Sequence, residues 1–265
     1  MTLVEMLEKN AKKVPDKTAI IFHDSKINYW EFNEAVNRLA NYFLAMGLKK
    51  GDRVGLMLPR VPELVISFMA VAKAGGIVVP INSELTAEEI KVILKTVSPR
   101  CLIVHTSFLD LARRSITGVS QIPLIVVGDE LGESLSWERI LMSGETNNPS
   151  LNCKDDDVVY LNYTSGSTGD PKGAITTHSN ICWNTMAAVD RLKLTADDVH
   201  LCIFAAFAHP HEIFARPLYL GGTMILVDKI YPKSIAEAIS NHKVTCMMGL
   251  APMYENLLEV LKHNP

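Results

Sequence analysis

Short apolar segments alternate with amphipathic helical segments along nearly the whole chain, and no other feature limits the possible folds as strongly. The apolar segments are rich in Val and Ile, which is typical of strands buried on both faces of a parallel sheet. Repeated strand–helix order with such strands predicts an α/β protein with largely parallel sheets. We predict strands at residues 17–22, 54–58, 77–81, 101–104, 124–127, 201–204, 223–227 and 244–249.

Helices are predicted where apolar residues recur at helical spacing between these strands. Thr2 with Glu5, and Thr86 with Glu89, have the Thr-x-x-Glu spacing of a capping box, which begins a helix. Longer helices are predicted at residues 30–46 and 62–74. Between about residues 128 and 157 the pattern weakens into Gly, Ser, Asn, Pro and acidic residues, so we predict a surface connection there.

Composition excludes several classes of function. The chain has 265 residues, of which 48% are hydrophobic, and this is enough for one large globular domain or two small ones. Its 26 Lys and Arg against 29 Asp and Glu give a net charge of −3, so there is no basic excess for binding nucleic acid. The longest apolar runs reach about half the length of a membrane-spanning helix, so no membrane span is expected.

The cysteines and the first residues bear on location. Five cysteines are scattered along the chain without the close spacing of a metal-binding knuckle, which is typical of reduced thiols. The first residues show neither a charged leader nor an apolar core. We therefore expect a cytoplasmic protein.

One segment, residues 160–173, has the composition of a phosphate-binding loop. A predicted strand leads into ten residues, 164–173, that contain three glycines, four hydroxyl side chains and one lysine. Small residues let successive backbone N–H groups approach a polyphosphate, hydroxyls add donors, and the lysine supplies a positive charge. Glycine also tolerates the positive φ angles that such a nest requires.

The loop differs from the Walker A motif G-x-x-x-x-G-K-[ST]. Counting from Gly166, Pro171 occupies the place of the second glycine, and Gly173 occupies the place of the magnesium-binding hydroxyl. An NTPase or small-molecule kinase is therefore disfavoured. A flexible Ser/Gly linker is also disfavoured, because linkers rarely lie between a strand and Pro-Lys-Gly-Ala-Ile.

Residues 163–173, Y-T-S-G-S-T-G-D-P-K-G, resemble the phosphate-loop signature of the adenylate-forming, or AMP-binding, enzymes. That family comprises acyl-CoA and aryl-CoA synthetases, luciferases and the adenylation domains of peptide synthetases. The resemblance covers essentially the whole chain. Further segments similar to the family, in the expected order, are residues 27–32, 48–58, 70–82, 177–180, 219–222 and 244–258.

The resemblance implies a fold and an extent. It implies stacked sub-sheets with helices between them, one drawn from about residues 50–200 and the other from about 1–45 plus 205–265. Family members are longer, and their later motifs for adenine, magnesium and ribose, and the lysine of a small C-terminal domain, are absent from residues 1–265. We expect an incomplete N-terminal AMP-binding domain that lacks the C-terminal domain and is inactive by itself.

The resemblance also implies an activity. The parent enzyme would be an ATP-dependent acid–thiol ligase of fatty-acid type, which converts a carboxylic acid to an acyl-adenylate and transfers the acyl group to coenzyme A. The implied cofactors are ATP, Mg²⁺ and coenzyme A, and Thr164 is the residue implied to contact the magnesium shell. The residues implied to hold the phosphates are Thr164, Ser165, Gly166, Ser167, Thr168, Gly169 and Lys172.

Residues 205–212 correspond to the family segment that borders the acyl pocket. Phe207 and His209 are the candidate substrate residues, with an ordinary loop histidine as the alternative for His209. The histidine is displaced by about one position from the family pattern and the following glycine is missing. His209 and His211 have no cysteine at ligand spacing and only Glu212 beside them, so a zinc site is disfavoured.

Two alternative functions stay open beside the ligase. One is an amino-acid-activating adenylation domain, whose family pattern has an aspartate directly after the aromatic residue. Ala208 stands at that position, and a buried ammonium group without a carboxylate partner would be costly, so a plain carboxylic acid is favoured. The other is a non-catalytic nucleotide-binding or interaction module. His178 is interpreted as a cap of the helix that follows it.

Overall fold

The computed structural model describes residues 1–119, 121–128, 135–164 and 172–263, apart from the side chains of Thr164 and His263. The helices are α1 (Leu3–Lys13), α2 (Tyr29–Ala45), α3 (Pro62–Lys73), α4 (Ala87–Val97), α5 (Leu109–Ile116), α6 (Trp137–Ser143), α7 (His178–Leu192), α8 (Ala215–Leu220), α9 (Pro232–His242) and α10 (Ala251–His263). The strands are β1 (Thr18–Phe22), β2 (Ser25–Asn28), β3 (Arg53–Met57), β4 (Ile77–Pro80), β5 (Cys101–His105), β6 (Leu124–Val127), β7 (Leu135–Ser136), β8 (Val158–Thr164), β9 (Lys172–Thr177), β10 (Val199–Cys202), β11 (Thr223–Leu226) and β12 (Cys246–Met248).

The strands form two sheets. The first has the order β7-β6-β5-β3-β4-β8-β9, and the second has the order β12-β10-β11-β1-β2. Parallel pairing predominates, because helices connect most consecutive strands. The antiparallel pairs are β8 with β9 in the first sheet and β1 with β2 in the second. The predicted α/β class is confirmed.

Helices pack between the two sheets, as expected for stacked sub-sheets. Helix α3 is buried on every side except at Glu63, because apolar residues occur all round it and its polar residues Ser67 and Lys73 have polar partners. One continuous core joins Ile103 of the first sheet, Phe68 of α3 and Met224 of the second sheet. Across the described parts of the chain, no helix combines the length and apolar character needed to cross a membrane.

The helix starts follow the predicted capping boxes. The Thr2 hydroxyl accepts from the N–H of Glu5, and the Glu5 carboxylate accepts from the N–H of Thr2. Thr86 and Glu89 pair in the same way at α4. Each pair satisfies N–H groups that have no partner within the helix, so these boundaries are fixed locally.

The prediction of a surface connection between residues 128 and 157 is wrong in part. Helix α6 lies within it, and Trp137 is buried in the core with its indole N–H donating to the Ser67 hydroxyl at 3.0 Å. A helix of seven residues is too short for apolar periodicity to stand out from polar flanks. A single large aromatic side chain nevertheless brings this segment into the core.

Candidate functional site

The candidate phosphate loop leaves the first sheet at the carboxyl end of β8. Thr164 is the last residue of β8 and pairs with Lys172, the first residue of β9. Ser165, Gly166, Ser167, Thr168 and Gly169 lie outside the described residues. The carboxyl ends of parallel strands are where α/β proteins bind ligands, and β8 runs parallel to β4. Lys172 is exposed at this edge, so its ammonium group can meet an anion in solvent.

Gly173 has a packing role beside the loop. A Cβ atom built at Gly173 would lie 3.1 Å from Cζ of Tyr163, which is tighter than ordinary van der Waals contact. The two residues are cross-strand partners in the antiparallel pair of β8 and β9. The first and last residues of the resembled motif are therefore neighbours, and a side chain at position 173 would crowd the Tyr163 ring.

The segment 205–209, which follows the end of β10 in the second sheet, lies against β8. The Asn162 side chain donates a hydrogen bond to the carbonyl oxygen of Ala208. Phe207 is half-buried and His209 is exposed. The structure thus brings the segment that carries both predicted substrate residues to the strand that carries the predicted phosphate loop.

Arg60 holds the start of this segment from the other sheet. It lies between β3 and α3 and is buried, and its guanidinium donates to the carbonyl oxygens of Phe204 at 3.1 Å and Val227 at 3.0 Å. Burial lowers the pKa of Arg60, and the negative charge of Asp228 opposes this shift. The contacts attach the connection after β3 to the ends of β10 and β11.

A buried polar chain follows segment 205–209, and sequence analysis did not find it. His211 Nδ1 lies 2.9 Å from the Tyr160 hydroxyl, and His211 Nε2 lies 3.5 Å from a carboxylate oxygen of Glu212. Glu212 forms an ion pair with Arg216 and accepts from the Asn184 amide at 3.0 Å. The spacing of Glu212 and Arg216, four residues apart, was the available signal.

The opposite charges of Glu212 and Arg216 stabilise each other within the buried polar chain. Burial alone would raise the pKa of Glu212, but its interaction with His211 and the positive charge of Arg216 outweigh burial and lower the pKa to about 2. Burial raises the pKa of the Tyr160 phenol, and its contact with Thr176 opposes this. Tyr160 is therefore a neutral hydrogen-bonding group rather than a nucleophile.

His178 does not cap the helix that it begins, which corrects the interpretation from sequence. Thr177 is the cap of α7, and its hydroxyl accepts from the N–H of Asn180. His178 Nδ1 instead accepts from the N–H of Leu3, at the start of α1. The histidine joins two helices that are distant in sequence, which local spacing could not reveal.

Metal ligands are not clustered in the part of the chain that the structure describes. No group of three or more His, Cys, Asp or Glu side chains there could hold a metal ion. The side chain of Thr164, the candidate magnesium contact, is outside the described atoms, and the five cysteines are free thiols.

Comparison with known proteins identifies the class of this fold and site. The sequence profile described as AMP-binding enzyme matches residues 7–265, and the chain belongs to that family. The medium-chain fatty-acid–CoA ligase of Escherichia coli K12 is 28% identical in an alignment of 277 positions, which covers 100% of this chain and 49% of that protein. Bacitracin synthase 2 of Bacillus licheniformis is 30% identical over 267 residues, which cover 99% of this chain and 10% of that protein.

Solved structures agree with this assignment. The crystal structure of ATP-bound MatB from Rhodopseudomonas palustris is 27% identical with a TM-score of 0.82, over 96% of this chain and 51% of that one. The chain spans about half the length of the ligases that it matches. The resemblance drawn from the sequence is therefore confirmed, as is the adenylate-forming fold.

Proposed function

We propose that this chain is the N-terminal part of an AMP-forming carboxylate–CoA ligase that acts on a plain carboxylic acid. The observation that carries the proposal is the motif of residues 163–173, which begins at the carboxyl end of β8 beside segment 205–209. The similarity to a fatty-acid–CoA ligase and to an ATP-bound structure supports the same activity. The cofactors of the proposal are ATP, Mg²⁺ and coenzyme A.

The first step of the proposed reaction joins two anions. A carboxylate oxygen of the acid attacks the α-phosphorus of ATP, and pyrophosphate leaves from the same phosphorus with the bonding electron pair. Charge therefore has to be neutralised and the groups aligned, which are the main tools of phosphoryl transfer. In the second step the thiol of coenzyme A attacks the acyl carbon, loses its proton, and displaces AMP.

The proposed residue roles come from the resemblance, and the positions of Lys172, Phe207 and His209 in the structure support theirs. Thr164 to Gly169 and Lys172 hold the β- and γ-phosphates, with Thr164 also at the magnesium shell. Lys172 fits this role because its ammonium group is exposed where β9 begins. Phe207 and His209 border the acid, on a segment bonded to β8 through Ala208. Magnesium, when bound, supplies Lewis-acid neutralisation of the phosphates.

The proposal also includes an arrangement of domains. In the proposed full-length enzyme, this chain contributes sub-sheets at about 50–200 and at about 1–45 plus 205–265, and a C-terminal domain contributes a second lysine. Residues 1–265 are then inactive alone. The free thiols agree with a cytoplasmic location.

An amino-acid-activating domain is the second candidate, because a bacitracin synthase is also a relative. It is less favoured because Ala208 follows Phe207, so that position offers no carboxylate to a substrate ammonium group. The third candidate is a non-catalytic nucleotide-binding or interaction module.

Product analysis tests the proposal. The full-length protein is incubated with ATP, Mg²⁺, coenzyme A and one acid at a time, and the products are identified by mass spectrometry. The proposal expects AMP, pyrophosphate and an acyl thioester with a fatty or aromatic acid. Nucleotide binding without any thioester would favour the non-catalytic module, and adenylates formed from amino acids alone would favour the adenylation domain.

A further inference from the structure

The buried polar chain of Tyr160, His211, Glu212 and Arg216 connects β8 to α8 immediately after segment 205–209. Tyr160 is 2% exposed and His211 is 7% exposed, so neither side chain presents a usable surface to a substrate. Buried polar groups are costly unless they are hydrogen-bonded, so these four side chains have to keep one defined arrangement.

Both ring nitrogens of His211 face a polar side chain. One ring nitrogen, Nε2, lies 3.5 Å from a carboxylate oxygen of Glu212. The other ring nitrogen, Nδ1, forms a hydrogen bond with the Tyr160 hydroxyl, 2.9 Å away. The phenol therefore sets how the His211 ring is turned, and the ion pair with Arg216 holds Glu212 at the other end.

Two contacts from the same face of β8 hold this part of the chain. Tyr160 and Asn162 are two residues apart on a strand, so their side chains point to the same side of the sheet. Tyr160 contacts His211, and Asn162 donates to the carbonyl oxygen of Ala208. The contacts lie on either side of His209.

Strand β8 itself is held by backbone pairing on both edges, with β4 on one side and β9 on the other. Segment 205–209 lies beyond the end of β10 and pairs with none of the strands in the described part of the chain. Loss of the side-chain contacts should therefore release the segment and leave β8 in place.

We propose that Tyr160 and His211 are positioning residues that fix segment 205–209 against β8 and so set the wall on which the acid binds. The inference rests on the proposed function, in which Phe207 and His209 border the acid. It assigns to a buried tyrosine–histidine pair a role in selecting the acid, separate from the phosphate contacts of the loop.

The test is Tyr160→Phe in the full-length protein, which removes one hydroxyl and keeps the ring. Acid-dependent exchange of labelled pyrophosphate into ATP is measured against acid concentration and against ATP concentration. One neutral hydrogen bond corresponds to roughly a two- to tenfold change in an equilibrium, so KM for the acid should rise by about that factor. KM for ATP should change by less than about twofold. The matched control is Tyr42→Phe, a half-buried tyrosine on α2, which should change neither constant.

Hydrogen–deuterium exchange gives a second readout that does not need activity. Amides of residues 205–213 should exchange faster in Tyr160→Phe, while those of α1 should not. Should Tyr160→Phe fail to fold, Asn162→Ala, which removes the other contact to the segment, is measured in the same way.

The outcomes distinguish failure of the proposed function from failure of the positioning role. No acid-dependent exchange by the wild-type protein would overturn the proposed function, and the inference with it. Wild-type exchange with an unchanged KM for the acid in Tyr160→Phe would overturn the inference alone. Equal rises in both KM values, with faster amide exchange throughout the protein, would show a purely structural role and would also overturn it.

Discussion

Single residues around β8 and β9 have separable tasks. Gly173 lies beside the Tyr163 ring, where a Cβ atom would come within 3.1 Å of a ring carbon. Lys172, the neighbouring residue, is exposed and is proposed to contact phosphate. The sequence predicted the second role from composition and motif. It could not predict the first, because the contact depends on the register of β8 and β9.

Lys172→Ala in the full-length protein should weaken the use of ATP far more than it weakens folding. A hydrogen bond to a charged group contributes about 1.5–3 kcal/mol, which corresponds to about 10- to 100-fold in KM for ATP. An exposed side chain contributes within about 0.5 kcal/mol to stability. Steady-state kinetics and thermal unfolding measure the two effects.

Lys9→Ala is the matched control, since Lys9 is an exposed lysine on α1. It should leave both ATP kinetics and unfolding unchanged. Equal ATP kinetics in Lys172→Ala and wild type, at matched folding, would contradict the phosphate role.

At the scale of elements, the positions of helices and strands follow from sequence better than their mutual contacts do. Capping boxes and apolar runs predicted the start of α4 and the course of β5 within a residue. The strand expected at residues 201–204 lies instead at Val199–Cys202, because pairing with β11 and β12 sets its ends. Helix α6 was missed because only Trp137 and Ile140 are buried in it.

The contact between α1 and α7 makes stability depend on pH. His178 accepts from the N–H of Leu3, and burial lowers the pKa of His178 from 6.5 to about 4. As pH falls from about 6.5 to about 4, His178 binds a proton in the unfolded chain but not in the folded chain. The free energy of unfolding therefore decreases. The shift corresponds to about 3 kcal/mol.

Denaturant unfolding at several pH values measures this effect. His178→Asn keeps an acceptor for Leu3 and should reduce the loss of stability between about pH 6.5 and 4. Burial lowers the pKa of His200 to about 4 as well, so part of the slope should remain. His23→Asn, at an exposed position, is the control and should leave the slope as it is. An unchanged slope in His178→Asn would contradict the assignment.

At the scale of the whole molecule, the site depends on contacts between the two sheets. Arg60 attaches the first sheet to the ends of β10 and β11, and Asn162 attaches β8 to segment 205–209. The family and the two-sheet architecture could be predicted from motif order. The polar chain around His211 could not, because its members come from distant parts of the sequence and meet only through tertiary packing.

The chain spans about half of the ligases that it matches, so the central claim concerns the full-length protein. That claim is ATP-dependent activation of a plain carboxylic acid. The claim rests on Ala208, which supplies no carboxylate for a substrate ammonium group, and on the residue types of the motif at 163–173, which are proposed to hold phosphate.

Exchange of labelled pyrophosphate into ATP by the full-length protein tests this claim most directly, with fatty, aromatic and amino acids offered separately. The reaction reports reversal of adenylate formation and needs no coenzyme A. We predict exchange that depends on a fatty or aromatic acid and is absent with amino acids. Exchange with amino acids alone, or none with any acid, would contradict the account.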